Sequence, residues 1–109
     1  MTTPLPGKPV RGSTTGRPIM ALLDLLGRRW TLRVIWELRE ETAAPTFRDL
    51  QIRCGGVSSS VLSARLRELT EAGVVQHRGD GYRLSETGRD LLRRLEPLDE
   101  WATRWHPND

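Results

Sequence analysis

The segment from Thr46 to Leu84 leaves this chain few folds to choose from. Thr46-Phe-Arg-Asp49 has capping-box spacing, with Asp49 in place of the usual Glu, and predicts a short helix from Phe47 to about Arg53. Cys54-Gly55-Gly56-Val57 is a tight turn. Ser58 caps a second helix running to about Glu71, and Ala72-Gly73 stops it. At about 100° per residue, Leu62, Leu66 and Leu69 fall within about 60° of one another and face a core. The opposite face carries Ser60, Ser63, Ala64 and Arg67, with Ser59 at the N-terminal end. Val74 to His77 reads as a strand, Arg78-Gly79-Asp80-Gly81 as a hairpin turn, and Tyr82 to Leu84 as the returning strand. Helix, turn, helix and hairpin in this order predict a mainly α fold with a small β-hairpin wing, a winged helix-turn-helix.

The remainder supplies the support. Pro18 opens a helix in which Ile19, Leu22, Leu23, Leu25 and Leu26 precede Gly27. A second helix is expected from about Trp30 to Glu40, with Trp30, Val34, Ile35 and Leu38 on one side, before Ala43-Ala44-Pro45 breaks it. Ser85 caps a last helix, about Glu86 to Trp105, with Leu91, Leu95, Leu98, Trp101 and Trp105 spaced by threes and fours. Residues 1–17 hold three prolines, three glycines, four threonines and a serine, with almost nothing to pack. They read as a disordered basic tail. Residues 18–109 read as one folded domain for DNA binding and dimerisation, which the length of 109 residues allows.

Charge is distributed unevenly. Met1 to Gly81 carries +4 and Tyr82 to Asp109 carries −1, and every basic residue but Lys8 is arginine. The guanidinium fork suits phosphates and guanine edges, although arginine usage also follows genome composition. The single cysteine, Cys54, rules out a disulfide framework and a Cys-based zinc site within one chain, and points to reduced cytosol. No run approaches the roughly 20 apolar residues of a membrane span, and the N-terminus lacks an apolar signal region. His77 and His106 stand apart, Ser58-Ser59-Ser60 has no evident base, and no ligand spacing or phosphate-binding glycine loop occurs. The expectation is a cytoplasmic, nucleoid-associated protein that is not an enzyme and has no cofactor, no metal and no membrane.

A solvated helix usually carries long Glu and Lys on its outer face. Here small and hydroxyl side chains let a helix backbone approach a groove, and the helix N-terminus favours phosphate. Ser59, Ser60, Ser63, Arg65, Arg67 and Arg78 are therefore the candidate contacts to double-stranded DNA. Among them Arg65 lies on the flank of the leucine stripe, where an intramolecular pair competes with phosphate. The wing, about His77 to Arg83, would meet flanking backbone or minor groove. The last helix has more apolar length than one small core requires. Leu22, Leu91, Leu95, Leu98, Trp101 and Trp105 are accordingly the candidate homodimer contacts, and a two-fold dimer implies a pseudo-palindromic operator. The alternative is a winged-helix module for protein contact alone, which should show exposed Leu, Phe or Tyr on the helix from Ser58. Cys54 is a candidate redox sensor beside the turn, set against its reading as a small buried hydrophobe. The four tryptophans read as core ahead of a pocket for a small-molecule effector, and no effector is named.

These residues resemble the HxlR-type branch of the MarR-like winged-helix regulators of bacteria. The resemblance lies in Leu26-Gly-Arg-Arg-Trp30-Thr-Leu, Phe47-Arg-Asp-Leu50, Val57-Ser-Ser-Ser-Val-Leu-Ser-Ala-Arg65-Leu-Arg-Glu-Leu69, Ala72-Gly-Val-Val75, Tyr82-Arg-Leu-Ser-Glu-Thr-Gly88 and a terminal helix with Trp101. It spans about Pro18 to Trp105. It implies a homodimer through the first and last helices, major-groove reading from Ser58 onward, and a wing contact around Arg78. Many members carry a cysteine just before the proline of the first helix. Arg17 stands there in this chain, so that sensing mechanism is not carried over. The wing is also shorter than usual.

Overall fold

The computed structural model describes residues 2–107, so the last two residues of the expected domain lie outside it. Five helices and one hairpin follow in the order α1 (Pro18–Leu26), α2 (Thr31–Glu37), α3 (Phe47–Arg53), α4 (Ser59–Glu71), β1 (Val75–Arg78), β2 (Gly81–Leu84) and α5 (Glu86–Thr103). This is the winged helix-turn-helix order, with its ends within a few residues of expectation except in α2.

Helix α2 is the central element and touches α1, α3, α4 and α5. Its Val34 and Ile35, and Leu38 at its end, are buried against Leu50, Leu62, Leu66, Leu69, Leu84 and Leu92. It begins one residue later than expected because Trp30 takes a left-handed conformation (φ 76°) as N-cap. For a bulky residue that costs about 1–2 kcal/mol, which the packing of the Trp30 ring on the core offsets. At its other end Leu38 leaves the helical conformation, so the expected run to Glu40 stops short.

The capping box forms as its spacing predicts. Asp49 N–H donates to Thr46 Oγ1 at 3.1 Å, and Thr46 N–H donates back to Asp49 Oδ2 at 3.0 Å. β1 and β2 pair antiparallel in the register Val75↔Leu84 to Arg78↔Gly81. The break before α3 also serves the wing: Tyr82 N–H donates to Pro45 O at 2.9 Å, and Thr46 bridges Gly81.

Hairpin and last helix meet at Ser85. Its hydroxyl donates to Gly73 O at 2.5 Å and accepts from Gly88 N–H at 2.9 Å, and its own N–H donates to Val74 O at 2.9 Å. A Cβ on Gly88 would stand 2.1 Å from Val74 O, so the joint has no room for a side chain.

Residues 2–17, expected as a disordered tail, are placed against the rest of the chain. Thr3 is 5% exposed, Pro4 is buried, and Gly7 N–H donates to Gly16 O at 2.9 Å. The Thr3 hydroxyl bonds the Glu71 carboxylate, and Arg28 Nη2 donates to Thr2 O at 3.0 Å. The leader thus lies across α1 and reaches the C-terminal end of α4.

Candidate nucleic-acid interface

The short helix α3 and the Gly55–Gly56 turn set where α4 starts. Both glycines are left-handed (φ 76° and 86°), which only glycine adopts at little cost. Ser58 then caps α4 by accepting from Val61 N–H at 3.3 Å. Gln51 of α3 braces the turn, its side-chain amide donating to Val57 O at 3.0 Å and to Ser59 Oγ at 3.1 Å. The sequence gives little sign of Gln51, whose one signal is its place in the last turn of α3.

The outward face of α4 is as the helical angles predict. Ser59, Ser60, Ser63 and Arg67 are exposed and Ala64 half-buried, while Leu62, Leu66 and Leu69 are buried beneath. The Arg67 side chain is 60% exposed and only loosely met by Glu71 at 4.0 Å, so its guanidinium is free to take an external partner. Arg78 is exposed on the wing. His77, beside it, stacks on Tyr82 at 4.1 Å, stiffening the hairpin. The partial positive charge of the α4 N-terminus lies among the serine hydroxyls, favouring an anion there.

Arg65 is placed differently from the other candidates. Its side chain is 16% exposed and its guanidinium is turned onto Glu68. Nη2 donates to Glu68 Oε2 at 3.4 Å and Nη1 to Arg29 O at 3.2 Å, while the 2.8 Å approach of Nε to Oε1 is a charge contact without hydrogen-bond alignment. Arg28 closes on the same carboxylate at 2.5 Å, and Asp24 lies 3.9 Å from Arg28. Glu68 is 2% exposed. Two guanidiniums and a buried carboxylate therefore tie the middle of α4 to the α1–α2 turn. The signal for this tie was the Arg65–Glu68 spacing of three on one helix flank, but Arg28 comes from a distant segment.

The candidate dimer residues divide into two sets. Leu22, Leu91 and Leu95 are half-buried, and Leu22 and Leu91 line one cleft with Leu25 of the same chain. Leu98, Trp101 and Trp105 are 58%, 54% and 60% exposed, with the two indoles stacked at 5.4 Å. Of the tryptophans weighed for an effector pocket, Trp36 lines a groove between α2 and α5 with Leu32 and Leu98, and Trp30 packs on the core.

The surroundings of Cys54 oppose the sensor expectation. It is 1% exposed, and burial pushes its thiol pKa up, against a smaller opposing pull from Arg33. A protonated, buried thiol is a poor nucleophile. Among the described residues no group of His, Cys, Asp and Glu is arranged to hold a metal ion, and no helix is long and apolar enough to cross a membrane.

The HxlR-like helix-turn-helix family model matches residues 25–109. An uncharacterised HTH-type transcriptional regulator of Methanocaldococcus jannaschii is 27% identical over 88 residues, covering 79% of this chain and 83% of its own. One from Mycobacterium bovis is 34% identical over 99 residues, covering 84% of this chain, which spans 61% of that longer protein. Among solved structures, a possible HxlR family transcriptional factor from Thermoplasma volcanium is similar with a TM-score of 0.69 at 30% identity, over 75% of this chain and 78% of the other. Quinone-bound YodB from Bacillus subtilis has a TM-score of 0.73 at 25% identity, over 80% and 97%. These relatives are regulators and not enzymes. With a braced turn, an open serine and arginine face on α4 and a hairpin after it, the chain belongs to the HxlR-like helix-turn-helix family of DNA-binding transcription regulators.

Proposed function

We propose that the protein is a homodimeric, sequence-specific regulator that inserts α4 in the major groove and sets its wing on flanking backbone or minor groove. The observation that carries this is the outer face of α4. Ser59, Ser60, Ser63 and Arg67 are exposed there with no large apolar side chain among them, which suits a polar groove and not a protein surface. Arg67 and Arg78 are the cations for base edge and phosphate, and Arg65 acts from behind by fixing α4. The exposed Leu98, Trp101 and Trp105 supply the dimer contact, each such side chain contributing about 1.5–3 kcal/mol when buried. Two-fold symmetry then asks for a pseudo-palindromic operator with half-sites about one helical turn apart. The setting is the cytoplasm, where the DNA lies.

Affinity for a mixed duplex pool across a salt series, wild type against Arg67→Ala, tests the reading. Wild type should bind with log K falling by about 0.9 per phosphate contact for each unit of log salt. Arg67→Ala should weaken binding by about tenfold, with relaxed sequence preference for a base contact or a slope shallower by about one for a phosphate contact. Absence of binding at low salt in wild type would turn the winged helix into a protein-contact module.

A further inference from the structure

Between the leader and the α1–α2 turn lies a cavity of about 840 Å³, within the roughly 300–1,000 Å³ range of small-molecule sites. Its roof is leader, Thr2 to Pro4 and Lys8 to Arg11, and Met20 and Leu23 of α1 give it an apolar floor. None of Ser59, Ser60, Ser63, Arg67 or Arg78 lines it. Its charge is lopsided. Lys8, Arg11, Arg28, Arg29 and Arg65 line the space, against Asp24 on the wall and Glu68 behind it, an excess of three positive charges. Arg28 and Arg65 are held by Glu68, whereas Lys8, Arg11 and Arg29 meet no carboxylate at ion-pair distance among the described residues.

We propose that this cavity is a binding site for a small organic anion, an apolar body bearing one acidic group. The apolar body would lie on Met20 and Leu23 while Lys8, Arg11 and Arg29 take the acidic group. A duplex backbone does not fit the same chemistry. Arg28 and Arg65 are only 12% and 16% exposed, the leader covers them, and a phosphodiester has no use for an apolar floor. The roof is lightly fastened, by the Thr3 hydroxyl on Glu71, by Arg28 on Thr2 O, and by Arg11 N–H on Asp24 at 3.4 Å. A ligand that engages Lys8 and Arg11 therefore also fastens the leader.

Calorimetric titration of the full chain with 2-naphthoate, with neutral 2-naphthamide and with inorganic phosphate tests the site. Expected is saturable, one-site binding of 2-naphthoate at millimolar concentration or below, with the amide and phosphate each at least about tenfold weaker. The Lys8→Ala/Arg11→Ala double variant, whose side chains are exposed and support no core, should weaken naphthoate binding at least about tenfold while keeping the wild-type melting temperature. Equal affinity for acid and amide, unchanged binding by the double variant, or no saturable heat in wild type overturns the proposal. So does loss of naphthoate binding in Trp36→Ala, which would put the ligand in the α2–α5 groove. Weakened duplex affinity in the double variant with naphthoate binding intact would assign the two cations to DNA and overturn it equally.

Discussion

Glu68→Gln keeps the shape of the side chain and deletes the charge that holds Arg28 and Arg65. The native carboxylate side chain is 2% exposed and the two arginine side chains are 12% and 16% exposed, so water screens little of the loss. At a charge separation of about 4 Å and an effective dielectric constant of about 20, each pair attracts by about 4 kcal/mol. Desolvation offsets much of that in the intact structure, and removing one partner of a buried pair costs about 3–5 kcal/mol because a charge is left uncompensated. Asp24 remains 3.9 Å from Arg28 and puts the expected loss at the low end, about 3 kcal/mol. A domain of this size loses about 4–8 °C of melting temperature per kcal/mol, so the midpoint should fall by at least about 12 °C. Urea and thermal melts followed by far-UV circular dichroism would measure it, at one fixed protein concentration because association shifts the midpoint. The triple variant Arg28→Met/Arg65→Met/Glu68→Leu should recover most of the loss, since apolar groups of similar volume commonly replace a buried ion cluster without penalty. A Glu68→Gln loss below about 1 kcal/mol, the range of exposed pairs, refutes the idea that this cluster anchors α4.

Two further predictions concern titratable groups. The Thr46 backbone N–H, followed by the Thr46 hydroxyl, holds the Asp49 carboxyl below the usual aspartate range. A depressed folded-state pKa gives stability that is present above about pH 3.9 and is lost as pH falls through the folded value. The stability difference between wild type and Asp49→Ala should therefore shrink on acidification toward pH 2.5, and a difference that stays constant would contradict the capping geometry. Cys54 should react with Ellman's reagent only as fast as the protein opens, and promptly in urea. Rapid labelling of the native protein would contradict the buried-thiol reading and favour the sensor.

Much of the scaffold was legible because local rules decide it. The capping box at Thr46, the glycine pair before Ser58 and the leucine stripe of α4 need no distant partner, and all three stand where their spacing put them. What local pattern does not reveal lies mostly in contacts between remote segments. The leader has no periodicity, yet the Glu71 carboxylate holds the buried Thr3 and the Arg28 guanidinium holds Thr2 O, polar partners that composition cannot reveal. Arg65 lies on a flank of α4, and whether that flank faces solvent or Arg28 depends on where the α1–α2 turn is set against α4. Helix α2 is shorter than its apolar pattern for a local reason: Trp30 and Leu38 fit the pattern, but their backbones serve as the two caps. Gln51 was invisible for the same reason as Glu68: its role lies in what it touches outside its own helix.

The Ser85 joint has a mechanical consequence. Val74 O accepts the Ser85 N–H, stands against Gly88, and belongs to the residue just before the first wing strand. Wing and α5 are thus hung from one rivet, too tight to admit even a methyl group. In the proposed dimer, a change in the tilt of α5 would be passed to the hairpin through this joint. The spacing of the two reading heads and the set of the two wings would then be coupled.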